Sequence, residues 1–275
     1  MIAVITICSA SRLDHVRRQQ RLLTSEPVRR IVVWLDADAP PSVPEFAGAE
    51  MLHVRPGEQG MRLAAGRDRG AEAALEAGAT LLVLLDADCL PGPDLLARYG
   101  AAAAAHPGAL LCGPVTYLPE GVLPEDAGDL PALTAPHAAR PAPPDGENVP
   151  GEHRLFWSLS FAVTAEAWRT VGGFDESYEG YGGEDTDFAF TARAAGVPLV
   201  WVGGAHAYHQ HHPTSTPPWQ HLDDILRNGR LFADRWGTWP MQGWLDAFAA
   251  AGAIERTPGG WRRSPVVPDR SGPHG

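Results

Sequence analysis

The chain has only three cysteines in 275 residues, Cys8, Cys89 and Cys112, each in or beside an apolar run. An odd number at wide spacing argues against a disulfide framework or a cysteine-based zinc site. Long hydrophobic runs are also missing. The longest, around Leu81–Leu85, falls far short of the roughly 20 apolar residues a membrane-spanning helix needs. No Lys/Arg cluster dominates any stretch and the net charge is −11, so a nucleic-acid footprint is not expected. The opening Met-Ile-Ala-Val-Ile-Thr-Ile-Cys lacks a basic leader and reads as a buried strand, not a signal peptide. These absences lead us to expect a soluble, reduced, cytoplasmic protein. With 44% apolar and 20% charged residues, the composition is that of a globular chain of one large domain or two small ones.

The first part alternates strand and helix. Apolar strands are expected at Ile2–Ile7, Ile31–Leu35, Met51–Val54 and Thr80–Leu85. Helices are expected at Leu13–Leu23 with Ser11 as cap, at Arg62–Ala77 closed by Gly78, and from Pro93 to about Ala105. Fully apolar strands between helices predict a parallel sheet covered on both faces. Ligands on such sheets bind beyond the carboxyl ends of the strands, where Asp36, Asp86 and Asp88 lie.

The composition shifts midway, and eight of the nine tryptophans follow residue 150. Residues 119–152, rich in Pro, Ala and acids, are expected to be a flexible loop. Beyond it we expect a strand at Leu155–Val163, a helix at Ala165–Val171 capped by Thr164, and a helix from the Gly182-Gly183-Glu184-Asp185-Thr186-Asp187 run to Ala195. A strand at Pro198–Val202 and helices at about His221–Asp234 and Met241–Ala251 complete the prediction, with 257–275 a disordered tail. The expected organisation is therefore 1–118, 119–152, 153–256 and 257–275.

Asp86-Ala87-Asp88 at a strand end suits a divalent cation, because hard cations prefer oxygen ligands, but it equally suits a helix cap and solvated turn. Histidines 206, 209, 211 and 212 form either a polar loop or the other half of a metal site, with imidazole favouring manganese over magnesium. Glu184, Asp185 and Asp187 at a helix start interact favourably with its dipole, and Asp185 is also a candidate general base. The glycines before them permit close approach of a ligand. Tyr178, Tyr181 and Trp157 are candidates for an apolar floor under a sugar ring, or for core packing.

Asp86-Ala87-Asp88, Gly172-Gly173-Phe174-Asp175-Glu176, Tyr181-Gly182-Gly183-Glu184-Asp185 and Ala207-Tyr208-His209-Gln210, in this order and at these spacings, resemble family 2 glycosyltransferases of the GT-A fold. The second half is similar to the C-terminal module of animal galactosyltransferases and bacterial chondroitin-type polymerases. The likeness spans most of residues 1–212.

The resemblance implies an α/β fold: a Rossmann-like nucleotide-binding mixed sheet flanked by helices, followed by C-terminal helices. It implies Asp88 and His209 as metal ligands with Asp86 nearby, and Asp36 at the nucleotide base. Ala65-Gly66-Arg67-Asp68-Arg69-Gly70 resembles a donor-binding Ala-Arg-Asn-x-Gly element. Asp68 stands where Asn is usual, and Arg67 is the stronger donor contact. Glu184 matches an acceptor-binding acid, Asp185 the catalytic base, and Trp157, Tyr181 and Gly183 the acceptor and sugar side. The insertion at 119–150 and His211 and His212 match no family role.

The implied activity is metal-dependent transfer of a hexose-type sugar, with Mn²⁺ favoured and Mg²⁺ the alternative, from a nucleotide donor such as a UDP-sugar. The acceptor is a glycan, a lipid-linked glycan, a peptide or a small molecule. A single base and no separate nucleophile favour inversion. The competing functions are a nucleotidyltransferase, a His/carboxylate metallohydrolase and a non-catalytic sugar-binding protein. A nucleotidyltransferase is disfavoured because Cys8-Ser9-Ala10-Ser11-Arg12 has no glycine-rich phosphate loop. Glu179–Gly183 and residues 119–150 are expected to be poorly ordered until a ligand binds.

Overall fold

The computed structural model describes residues 1–124 and 126–265. Three strands run parallel: β1 (Ile2–Cys8) leads through α1 (Leu13–Leu23) to β2 (Arg29–Trp34), and a segment with a short 3₁₀ turn leads on to β3 (Glu50–His53). Next come α2 (Leu63–Glu76), β4 (Leu81–Leu85), the short β5 (Cys89–Pro91), α3 (Leu95–Ala105), β6 (Leu110–Cys112) and β7 (Val115–Tyr117). The second half supplies β8 (Asn148–Gly151), β9 (Ser160–Thr164), α4 (Ala165–Val171), α5 (Glu184–Ala194), β10 (Leu199–Val202) and β11 (Ala207–His209). It closes with α6 (Leu222–Trp236), α7 (Gln242–Ala250) and the hairpin β12 (Ile254–Thr257) and β13 (Gly260–Arg263).

The main sheet has eight strands in the order β3-β2-β1-β4-β9-β6-β10-β8. It is mixed, as the resemblance implied: β1–β4 of the first part run parallel, as their apolar sequences suggested, and the antiparallel strands come from the second part. β9 runs antiparallel between β4 and β6, and β8 antiparallel on β10. β9 is buried on both faces whichever way it runs, so its apolar sequence carries no sign of direction. The expected strand Leu155–Val163 begins later, because His153–Leu155 forms a short 3₁₀ turn.

Alternate residues of β1 divide the core. Ala3, Ile5 and Ile7 pack with α2, α4 and α5 on one face, and Val4 packs with α3 on the other. A side chain at Gly70 would come within 2.4 Å of Ile5, so glycine there seats α2 directly on the sheet. That close seating carries Arg67 to the strand ends.

Two expectations are corrected. Residues 119–152 are not one loose loop: 127–133 form a 3₁₀ helix and β8 adds an edge strand. Asn-Val-Pro-Gly reads as a turn, yet an edge position tolerates its proline. The tail expected to be disordered contains the turn and second strand of the β12–β13 hairpin, and only its residues 266–275 lie outside the described residues. The halves expected to meet at 119–152 share one sheet. No helix among the described residues is long and apolar enough to cross a membrane.

Candidate active site

A second, three-stranded sheet builds the site. β11 pairs with β5 and with β7, placing His209 opposite Cys89 and Tyr117. The turn after β4 is locked from below by Gln19, which is fully buried on α1. Its amide donates to the Asp86 and Cys89 carbonyls at 2.7 and 2.8 Å, and its carbonyl accepts from Thr6. A buried amide so fully bonded fixes the direction of Asp86 and Asp88.

Asp88 faces two histidines. His209 Nε2 lies 3.5 Å from one carboxylate oxygen and His212 Nε2 3.4 Å from the other. One donor atom from each of the three residues lies within 4.8 Å of the others. Burial raises the Asp88 carboxyl, but His212, His209 and Arg12 outweigh it and hold it below the usual carboxylate range. Burial lowers the His209 imidazole pKa and so favours its neutral form. Asp88 Oδ1 and His209 Nδ1 are buried with no hydrogen-bond partner. Arg12 donates to Asp88 Oδ2 at 3.2 Å and also touches His212. His212, without a sequence-derived role, thus joins the cluster, while His211 contributes only its carbonyl to His15. His206 is not part of the cluster.

Beside the cluster is a cleft of about 540 Å³, lined by Ser9, Arg12, Leu35, Arg67, Asp86, Asp88 and Tyr181 among others. Arg67 is buried and bridges Asp86 at 3.2 Å to Glu184 at 3.1 Å. Burial raises the Asp86 carboxyl to about 6 against the pull of Arg67. Asp36 ends the β2 run and accepts from the Ala10 amide at 2.5 Å, which closes the turn after β1.

Asp185, in the first turn of α5, takes the Thr186 amide and hydroxyl on Oδ1. Its Oδ2 accepts no hydrogen bond from the described residues. Burial, then Glu184, lifts its pKa to about 6. Gly183 caps the helix at φ 94° with Tyr178 directly behind it, so it is a backbone device of the glycine turn. Asp187 is turned away and buried against Tyr178, Arg235 and Trp236.

Asp68 departs from its expected place. Both carboxylate oxygens accept from the Phe174 amide, so it braces the Gly-Gly-Phe turn and does not line the cleft. Tyr181 lines the cleft and stacks on His221 at 4.3 Å. Trp157 sits outside that cleft, with the Arg140 guanidinium 3.8 Å from its ring centre. The glycine loop expected to be loose is hydrogen-bonded: the Asn228 amide donates to the carbonyls of Glu179, Tyr181 and Gly182. Gln19, Arg140 and Asn228 escaped the sequence reading because polar side chains default to solvent when only periodicity is available.

Three solved structures share this architecture at 12–13% identity. One is GalNAc-T7 with UDP, GalNAc and Mn²⁺, with a TM-score of 0.55 over 91% of this chain and 56% of that one. Another is S. aureus TarS, at 0.57 over 84% of this chain and 39% of that one. The third is TarS 1–349 in complex with UDP-GlcNAc, at 0.54 over 84% and 65%. The fold is GT-A. Within this GT-A chain, residues 148–213 match a family model described as the N-terminal domain of galactosyltransferase. A 45-residue stretch is 40% identical to validoxylamine A glucosyltransferase of Streptomyces hygroscopicus subsp. jinggangensis (strain 5008). That stretch covers 16% of this chain and 11% of that protein, so the match spans about a tenth of the relative's length.

Proposed function

We propose that this chain is a metal-dependent, inverting glycosyltransferase of the family 2 type that moves a hexose from a UDP-sugar to an acceptor hydroxyl. The observation that carries this is the convergence of Asp88, His209 and His212 with two buried, unpartnered donor atoms, at the edge of a cleft closed by Arg67 and Asp86. One carboxylate and two imidazoles suit a borderline cation such as Mn²⁺, so the residues fit the group. GalNAc-T7 with UDP and Mn²⁺ and TarS with UDP-GlcNAc have the same fold, which supports this donor class.

Asp88, His209 and His212 would hold the cation, which when bound would supply positive charge to the donor's leaving diphosphate. Residues 1–118 carry the donor side, with Asp36 at the base and Arg67 and Asp86 along the cleft. Asp68 acts there only through the turn it braces. Residues 153–256 carry the acceptor side, with Tyr181 and Trp157 as ring contacts. Asp185 Oδ2 takes the acceptor proton as the hydroxyl oxygen attacks the anomeric carbon and the sugar–phosphate bond breaks on the opposite face. One displacement inverts that carbon. Glu184 holds Arg67 and orients the acceptor side. Three free, buried cysteines support a reducing, cytoplasmic setting.

The test is UDP release from a panel of UDP-sugars with Mn²⁺. Release that requires the metal supports the proposal. Pyrophosphate exchange with UTP points instead to a nucleotidyltransferase, and sugar binding without turnover to a lectin-like protein.

A further inference from the structure

Arg140 belongs to the inserted segment for which the sequence suggested no role. It is 7% exposed and makes no ion pair among the described residues. Its Nη2 donates to the Leu155 carbonyl at 2.8 Å, and its Nε is buried without a partner. The guanidinium lies 3.8 Å from the centre of Trp157 and 5.5 Å from that of Trp201. A buried arginine held by aromatic faces instead of a carboxylate is costly unless its place matters.

The rings above it form a run. His209 stacks on Tyr117 at 4.6 Å, Tyr117 meets His137 at 5.5 Å, and His137 meets the edge of Trp157 at 5.4 Å. The run starts at the candidate metal ligand. Tyr117 is 45% exposed, His137 is exposed and Trp157 half-buried, so the rings present free surface. They are also fixed. The His137 amide donates to Val115, its Nδ1 accepts from the Ala139 amide, and the Ala135 amide donates to Thr116 Oγ1. The run begins where His209 faces Asp88, and Arg67 ties the neighbouring Asp86 to Glu184, next to the candidate base.

We infer that Tyr117, His137 and Trp157 form the floor of the acceptor site, that this floor takes a neutral polyhydroxylated ring such as a sugar or cyclitol, and that Arg140 positions Trp157 from beneath. This rests on the transferase reading above. Separate ring faces with polar edges match the C–H faces and hydroxyl rim of such a ring. A continuous apolar groove, which a lipid chain needs, is not what these rings make. The nearby Asp86, Asp88 and Asp185 disfavour an anionic acceptor.

Saturation-transfer NMR on the full chain with UDP and diamagnetic Mg²⁺ tests this, using methyl β-glucoside, myo-inositol, glucuronate and a serine-containing peptide as probes. The two neutral rings are expected to receive saturation. Trp157→Ala and His137→Ala are expected to weaken glucoside binding about three- to tenfold, the scale of one lost aromatic contact. Arg140→Lys keeps the charge but loses the planar stack, and should weaken it similarly while the thermal shift with UDP–Mg²⁺ persists. A loss of that shift as well would make Arg140 a general structural residue and overturn its positioning role. Wild-type protein stabilised by UDP–Mg²⁺ but giving no signal with either neutral ring overturns the floor and leaves the donor reading standing. Stronger saturation of glucuronate or peptide overturns the neutral-ring assignment. Absence of any UDP–Mg²⁺ stabilisation overturns both readings.

Discussion

The backbone amide of Gln210 donates to the carbonyl of Asp88 at 2.7 Å. This bond joins the end of β11 to the turn after β4, across 122 residues of chain, and brings His209 and His212 to the Asp88 carboxylate. The metal-ligand candidates are therefore held by main chain, and their side chains can be changed without dismantling the turn.

UDP is expected to raise the melting temperature much more with Mn²⁺ than with EDTA. The diphosphate meets Asp86 and Asp88 favourably only with a cation between them, and a ligand that binds the folded state stabilises it by mass action. Differential scanning fluorimetry checks this. Equal shifts in the two conditions would remove the metal site.

His209→Ala and His212→Ala should each weaken Mn²⁺-dependent UDP binding, measured by calorimetry, while His206→Ala and His211→Ala should not. Only the first two imidazoles reach Asp88. A large effect at His211 with none at His212 would mean the loop has a different register in solution.

Asp185→Asn should leave folding and UDP–Mn²⁺ binding intact and cut transfer by roughly 10²–10⁴-fold, the usual scale of general-base help. Glu184→Gln should instead lower stability, since it leaves buried Arg67 with only part of its countercharge. For the wild type, transfer should fall as pH drops through about 6, where Asp185 takes up a proton and can no longer accept one. An unchanged rate in Asp185→Asn would move the base elsewhere.

Asp68 makes a second pH prediction, on stability. Burial raises its folded pKa from 3.8 to about 7. Between those values the folded state holds a proton that the unfolded state has lost, so Asp68 favours folding less and less as pH rises through this window. Asp68→Asn keeps an acceptor for the Phe174 amide and carries no charge. It should therefore melt higher than wild type at pH 8, with the difference shrinking towards pH 4. A lower melting temperature at pH 8 would show that the ionised carboxylate is what the turn requires.

Asn228→Ala should raise hydrogen exchange in Glu179–Gly183 without unfolding α6. It removes the two N–H donors that serve three carbonyls of that loop, each full bond being worth about 0.5–1.5 kcal/mol. Unchanged exchange would mean that Arg227, Asp224 and the Gly180–Met61 bond hold the loop without it.

The sequence was most legible where one period ruled. Leu13–Leu23 forms a helix over the expected span, and Thr164 caps α4 through the Ala167 amide as its position suggested. It was least legible where partners are distant. Nothing local tells that Phe161 runs antiparallel to Leu84, that Asn148 pairs with Val202, or that Gln19 lies buried beneath Asp86. At the site, Asp88 and His209 stood out only through the ordered motifs of the family resemblance, since residue type and spacing alone allowed a helix cap and a polar loop equally well. His212 and Arg12 needed the folded turn to reveal their neighbour. Asp68 looked like a donor contact, but the chain turns it towards Phe174 instead.

The placement of β9 also bears on synthesis at the ribosome. β4 has β1 on one side, but its other side is taken by β9, which is also the partner of β6. Until residues 160–164 emerge, the nascent chain carries two bare strand edges in its most apolar region, and such edges pair with whatever strand arrives first. A fragment ending before residue 160 is therefore expected to aggregate, so residues 1–118 are not expected to be expressible or exchangeable between proteins as an independent module.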